Sequence, residues 1–255
     1  MMRRVALKLE YDGGGFSGWQ RQHGVITVQQ VLEEACAKLT NGQHIGCTAA
    51  GRTDAGVHAE AMVVSCDLPD EHSADTIRNA LNYHTKPHPV CVLEVAEVDA
   101  DWNARFSATG RSYRYTISTR RPRLVLDDGR AWHVGRPLDA DAMHEAAQIL
   151  VGRHDFSSFR ASSCQAKSPL RTLDRLDAMR HGDRIEIVAE ARSFLHHQVR
   201  NMVGTLKLVG EGRLTVRRVA DILAARDRAK AGPTAPPEGL YFTGVRYEPD
   251  PFSRD

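Results

Sequence analysis

The chain has 255 residues, 42% hydrophobic and 26% charged, a balance that supports a real core and excludes disordered or fibrous architectures. A formal charge of +2 excludes a polybasic tail protein but leaves room for a local basic face. No apolar run approaches the roughly 18 residues of a membrane span, and the apolar start of MMRRVALKLEYD breaks at Lys8 and Glu10, so no membrane contact and no signal peptide are expected.

Residues 4–11 (RVALKLEY) alternate between apolar and polar and predict a strand, which DGGGFSG at 12–18 ends. Thr27 is placed to cap a helix, with Gln30 completing a capping box; Val28, Val31, Leu32, Ala35, Cys36 and Leu39 form its apolar stripe and Asn41-Gly42 closes it. Strands follow at about 44–49 and 57–66, joined by GRTDAG. A helix near 73–82, started by Ser73, precedes a strand at 90–98. The second half repeats the order: a strand at 111–118, a helix capped by Asp139 and ended by Gly152, strands at about 172–179 and 184–191 hinged at His181-Gly182-Asp183, and a helix at 195–209. An extra helix capped by Thr215, a Pro-rich linker (GPTAPPEG) and a last strand at 240–247 complete the chain. Two β-α-β-β-α-β units predict an α/β (α+β) fold of two ferredoxin-like, RRM-like halves, residues 1–107 and 108–255.

Five cysteines, Cys36, Cys47, Cys66, Cys91 and Cys164, are an odd number without a CxxC pair, which argues against a disulfide framework and against a thiolate zinc site. Adjacent His196 and His197 would point about 100° apart on a helix and do not chelate as an HxxxH pair does, so no metal is expected. DGGGFSG fits neither GxGxxG nor the P-loop spacing and is read as a flexible loop touching RNA. The basic residues comprise 28 arginines and six lysines. Arginine suits bidentate phosphate recognition, although a GC-rich genome gives the same bias.

Residues 103–126 hold Arg105, Arg111, Arg114, Arg120, Arg121 and Arg123, interleaved with Phe106, Tyr113 and Tyr115 and with no acidic residue. Such a strand can neutralise phosphates and stack on bases. Its plain alternative is a half-buried tyrosine face backed by solvated arginines. In GRTDAG the flanking glycines let the backbone turn sharply and present Asp54 at the tip; by itself, an aspartate there does no more than hydrogen-bond its own turn.

As a set, GRTDAGVHA (51–59), YDGGGFSGWQRQ (11–22), FSATGRSYRY (106–115), DFSSFR (155–160), FLHHQVRNMVG (194–204) and EGLYF (238–242) closely resemble the tRNA pseudouridine synthase family of the TruA type, in order and over nearly the whole chain. The resemblance implies isomerisation of uridine to pseudouridine at positions 38, 39 and 40 in the anticodon stem-loop of tRNA, with no cofactor, by a homodimer, and the cysteine pattern with no expected signal peptide or membrane span makes a cytoplasmic location the default expectation. The resemblance also implies halves joined into one continuous, mainly antiparallel sheet with helices on one face and a central cleft. Asp54 matches the essential aspartate, Arg200 the basic residue paired with it, Tyr113 the tyrosine that packs on the target base, Arg52 an arginine holding the flipped-out site, and Leu240 an apolar residue of the pocket wall.

The chemistry suits these residue types. The bond from uracil nitrogen to ribose must break, the base must turn, and carbon 5 must join the sugar and lose its proton. A carboxylate can serve as nucleophile or as base toward the ribose, and a shielded one needs a cationic partner; the resemblance favours the base that removes the 2′ proton to give a glycal. A base held outside its stack needs an aromatic surface and an apolar wall. Two other classes remain in view at this stage. A non-catalytic RNA-binding module needs only the basic aromatic strand, and an aspartate-dependent hydrolase of nucleosides or glycosides would want a second carboxylate beside Asp54.

Overall fold

In the computed structural model, residues 1–253 are described, and the chain divides into two compact units, one of residues 1–110 with the chain from Tyr241 onward and another of residues 111–240. In the first unit, β1 (Met2–Tyr11) lies between β3 (His58–Pro69) and β4 (Val90–Glu97), antiparallel to both, with Leu7 opposite Val64 and Val95. Leu7, Leu9, Met62 and Leu68 are fully buried, as are Leu32 of α1 (Val28–Leu39) and Ile77 and Leu81 of α2 (Ala74–His84). Each such side chain contributes about 1.5–3 kcal/mol by leaving water. The strand expected at 44–49 shrinks to β2 (Thr48–Ala49) against β3, because residues 41–47 carry an Asn-Gly turn and two further polar positions instead of alternation.

The second unit orders its strands β7 (Gly152–Asp155), β8 (Leu170–His181), β9 (Arg184–Ala191), β5 (Gly110–Ser118), all antiparallel neighbours. The short β6 (Trp132–His133) runs parallel to the end of β5. α3 (Ala140–Gln148), α4 (Gln198–Gly210) and α5 (Val216–Ala225) close over the sheet core of Tyr115, Ile117, Leu176, Ile185 and Ile187 with Met143, Ala146, Met202, Leu206, Val219 and Ile222. β6 and β7 escape the sequence reading: one has two residues, and the other, Gly-Arg-His-Asp, has no apolar alternation.

All four cap residues read from the sequence perform that role. Thr27, Ser73, Asp139 and Thr215 accept from the backbone N–H three residues on, each worth about 1 kcal/mol. The capping box is half formed: Thr27 accepts the Gln30 N–H, while the Gln30 side-chain amide donates to Glu34. The expected boundary at 107/108 sits at 110/111, and the chain from Tyr241 onward does not stay with the second half. Its strand β10 (Leu240–Arg246) joins β3 in parallel, with Tyr241 opposite His58 and Phe242 opposite Ala59.

Candidate active site

The Asp54 turn connects β2 to β3 and is braced by the loop that follows β1. Thr53 is buried. Its hydroxyl lies 2.9 Å from the Tyr11 hydroxyl, and its carbonyl accepts the Trp19 N–H at 3.0 Å. The Asp54 carbonyl closes the turn by accepting the Val57 N–H at 3.1 Å. This close approach needs glycine on the bracing side: Gly18 has φ +88°, and a Cβ there would meet the Thr53 carbonyl oxygen at 2.7 Å. Gly13 sits still closer, its absent Cβ 2.0 Å from the Val57 oxygen. DGGGFSG is therefore no flexible loop; Phe16 and Trp19 anchor it in the core and its backbone packs on the turn. Gly13 and Gly18, which suggest mobility in sequence, are there for contact.

Beyond the turn, His58 is buried, accepts the Gly13 N–H at Nδ1 (3.0 Å) and stacks on Tyr241 at 4.8 Å. Thr53 is buried and Asp54 half-buried, while Arg52 beside them is exposed. The arrangement puts a carboxylate and a guanidinium on a fixed support, with the buried residue between them acting as the peg.

In the second unit, Tyr113 and Tyr115 share a face of β5 but do different work. Tyr115 is fully buried, donates its hydroxyl to the Pro236 carbonyl (2.8 Å), and packs so tightly on Gly239 that a Cβ there would lie 2.6 Å from the ring. Burial, then the charge of Glu238, pushes its phenol well above the usual range, which keeps it a hydrogen-bond donor. Tyr113 is half-buried and meets the Phe194 ring edge-on at 5.1 Å, leaving a ring held in one orientation by an aromatic neighbour.

Arg200 lies in the first turn of α4. Its Nε donates to the Ala235 carbonyl (2.8 Å) and its own carbonyl accepts the Ala235 N–H (3.1 Å). The Pro-rich segment read as a linker is thus a packed strap. Gly204 lets it seat, since a Cβ would fall 1.7 Å from the Pro233 oxygen, and Asn201, Thr205 and Arg228 bond to it. Leu240, at the end of this strap, is buried. α4 itself starts at Gln198 rather than 195, because His197 adopts φ +62°, outside the helix; the Gln198 side chain accepts the Leu195 N–H in a local turn. His196 is fixed by Ser163 (3.3 Å to Nδ1), and its carbonyl accepts the Ala161 N–H.

A family model described as tRNA pseudouridine synthase matches residues 9–107 and 146–248. The chain belongs to that family. It is 64% identical to a tRNA pseudouridine synthase A of Acidiphilium cryptum over the full length of both proteins, and 61% identical to one of Rhodospirillum centenum over 96% of this chain and all of that one. A third from Gluconobacter oxydans is 52% identical over 99% of this chain and 93% of its own. The chain is accordingly an isomerase: it forms pseudouridine from uridine in tRNA, rearranging one nucleotide without net loss or gain of atoms. Among the described residues, no helix is long and apolar enough to cross a membrane.

Sequence reasoning missed Phe194, Trp19, Tyr11 and Ala235 as parts of the site's support. Tyr11, Trp19 and Phe194 fall within the quoted motifs, which was the available signal. Ala235 had none, because its role is played by its backbone.

Proposed function

We propose that the chain modifies uridines 38, 39 and 40 of the tRNA anticodon stem-loop, with Asp54 as its essential group. The observation that carries this reading is the bracing of the Asp54 turn: a carboxylate at the tip of a turn pegged by buried Thr53 and backed by close-packed glycines is preorganised for chemistry, as a merely structural turn aspartate need not be. Asp54 acts at the ribose, as the base that removes the 2′ proton while the bond to uracil breaks. Arg200 serves as the cationic partner of that carboxylate, its Nε bond to Ala235 fixing the plane of its guanidinium. Tyr113, oriented by Phe194, stacks on the extruded base, Leu240 supplies the apolar wall, and Arg52 holds the flipped nucleotide. The residues need no cofactor for these steps, and the protein works as a homodimer in the cytoplasm, where its tRNA substrate is found. The reading rests on the residue-by-residue resemblance of these positions to the family.

Unmodified tRNA incubated with the protein and mapped for pseudouridine tests it directly. Product at 38, 39 and 40 is expected. Product elsewhere in tRNA would refute the anticodon assignment, release of free uracil would indicate hydrolysis, and binding without change would indicate a non-catalytic module. Sedimentation of the protein tests the dimer.

A further inference from the structure

Three of the five cysteines, spaced without motif along the chain, converge in the core of the first unit. Cys36 comes from α1, Cys47 precedes β2 and Cys66 lies on β3; continuing the β2–β3 register from Thr48 opposite Ser65 places Cys47 opposite Cys66. All three are free and buried, at 0%, 6% and 3% exposure, and their sulfurs lie within 4.8 Å of one another. We propose that Cys36, Cys47 and Cys66 form a binding site for trivalent arsenic, taken from arsenite as a neutral trithiolate.

The charge of the product selects this ligand over other thiophiles. Arsenous acid condenses with three thiols to give As(SR)₃ and three waters, so three As–O bonds and three S–H bonds are exchanged for three As–S and three O–H bonds, with no change of oxidation state and no net charge left on the centre. Three thiolates on a divalent zinc ion would carry a net negative charge and on a monovalent copper ion more, in a site with no fourth ligand in the cluster. The Glu33 carboxylate, buried one helical turn before Cys36, accepts the Cys47 N–H and is already matched by Arg21 at 2.9 Å, so that guanidinium is not free to balance an anionic complex. Geometry also fits: arsenic in this state keeps a lone pair and is pyramidal, so sulfur bonds of about 2.3 Å, the length at zinc, set the sulfurs about 3.4 Å apart, which the three side chains reach by closing in from the 4.8 Å within which they lie.

The test uses the full-length reduced protein with sodium arsenite. Native mass spectrometry is expected to show one added arsenic with three hydrogens lost. X-ray absorption at the arsenic edge should show three sulfur neighbours and no oxygen, and the melting temperature should rise because the folded form binds. Cys36→Ala, Cys47→Ala and Cys66→Ala should each weaken binding at least about tenfold, about 1.4 kcal/mol, and Cys91→Ala with Cys164→Ala should not. The wild-type absorption spectrum decides the question even where a core variant fails to fold. A retained As–O bond, a lowered melting temperature on binding, an unchanged mass, or dependence on Cys91 or Cys164 would overturn the proposal.

Discussion

Asp54 is the residue whose chemistry and support can be separated by mutation. Asp54→Asn keeps the size and the turn but removes the charge, so pseudouridine formation should fall below detection while tRNA affinity stays within about tenfold, about 1.4 kcal/mol. Most affinity comes from phosphate contacts spread over the tRNA, and one nucleotide's catalyst adds little to it. Turnover by the asparagine variant would reject Asp54 as the essential group. The support is probed at Gly18. Replacing it with alanine places a Cβ at φ +88° and 2.7 Å from the Thr53 oxygen, and the strain costs more than about 1 kcal/mol in urea unfolding. Because the displaced atom belongs to the turn carrying Asp54, kcat should drop well beyond what the lost stability explains. A Gly18→Ala protein with wild-type kcat would show that the brace does not position the carboxylate.

At the scale of elements, what the sequence made legible was local and periodic. The alternation of 4–11 and the stripe of α1 appear as read, and every cap residue is at its helix start, because these features depend on neighbours three or four positions apart. Features built from distant backbone contacts were illegible. Gly13, Gly18 and Gly204 read as loop or helix glycines, yet each is required by a carbonyl far along the chain or in another element. The same holds for the cysteine cluster, which the β2–β3 register and the packing of α1 assemble. For the proposed site, the motifs point to Asp54, Tyr113 and Arg200, while the strap holding Arg200 looked like a linker since proline and glycine mark both. Gly204→Ala tests the strap: with 1.7 Å to the Pro233 oxygen there is no room for a methyl group, so the seated segment must lift, at a cost of about 3 kcal/mol or more. Thermal unfolding should show it, and turnover should fall with it as Arg200 loses the Ala235 carbonyl. A stable, fully active variant would mean that α4 does not need the strap.

At the scale of the whole molecule, the formal charge of +2 conceals how strongly the protein should feel a polyanion. Many of its charges are already matched: Arg4 with Asp67, Lys8 with Glu94, Arg21 with Glu33, Arg175 with Asp177 and Glu190, and Lys207 with Glu211. Pairs of that kind add little long-range field, because opposite charges a few ångströms apart nearly cancel beyond a Debye length of about 8 Å at physiological salt. The segment after β5 differs, since Arg120, Arg121 and Arg123 fall within a stretch that lacks acidic residues from 103 to 126, and Arg121 and Arg123 are exposed. A side chain that neutralises a tRNA phosphate releases condensed counterions, and each such contact steepens the dependence of log K on log salt by about 0.7–0.9. Arg121→Gln with Arg123→Gln should therefore weaken tRNA binding at low salt and flatten the salt slope by about 1.4–1.8, with the two curves converging as salt rises. Neither residue is placed at the reacting nucleotide, so kcat at saturating tRNA should remain that of the wild type while KM rises. An unchanged slope would remove these arginines from the RNA-binding surface, and a loss of kcat at saturation would put them in the reaction itself.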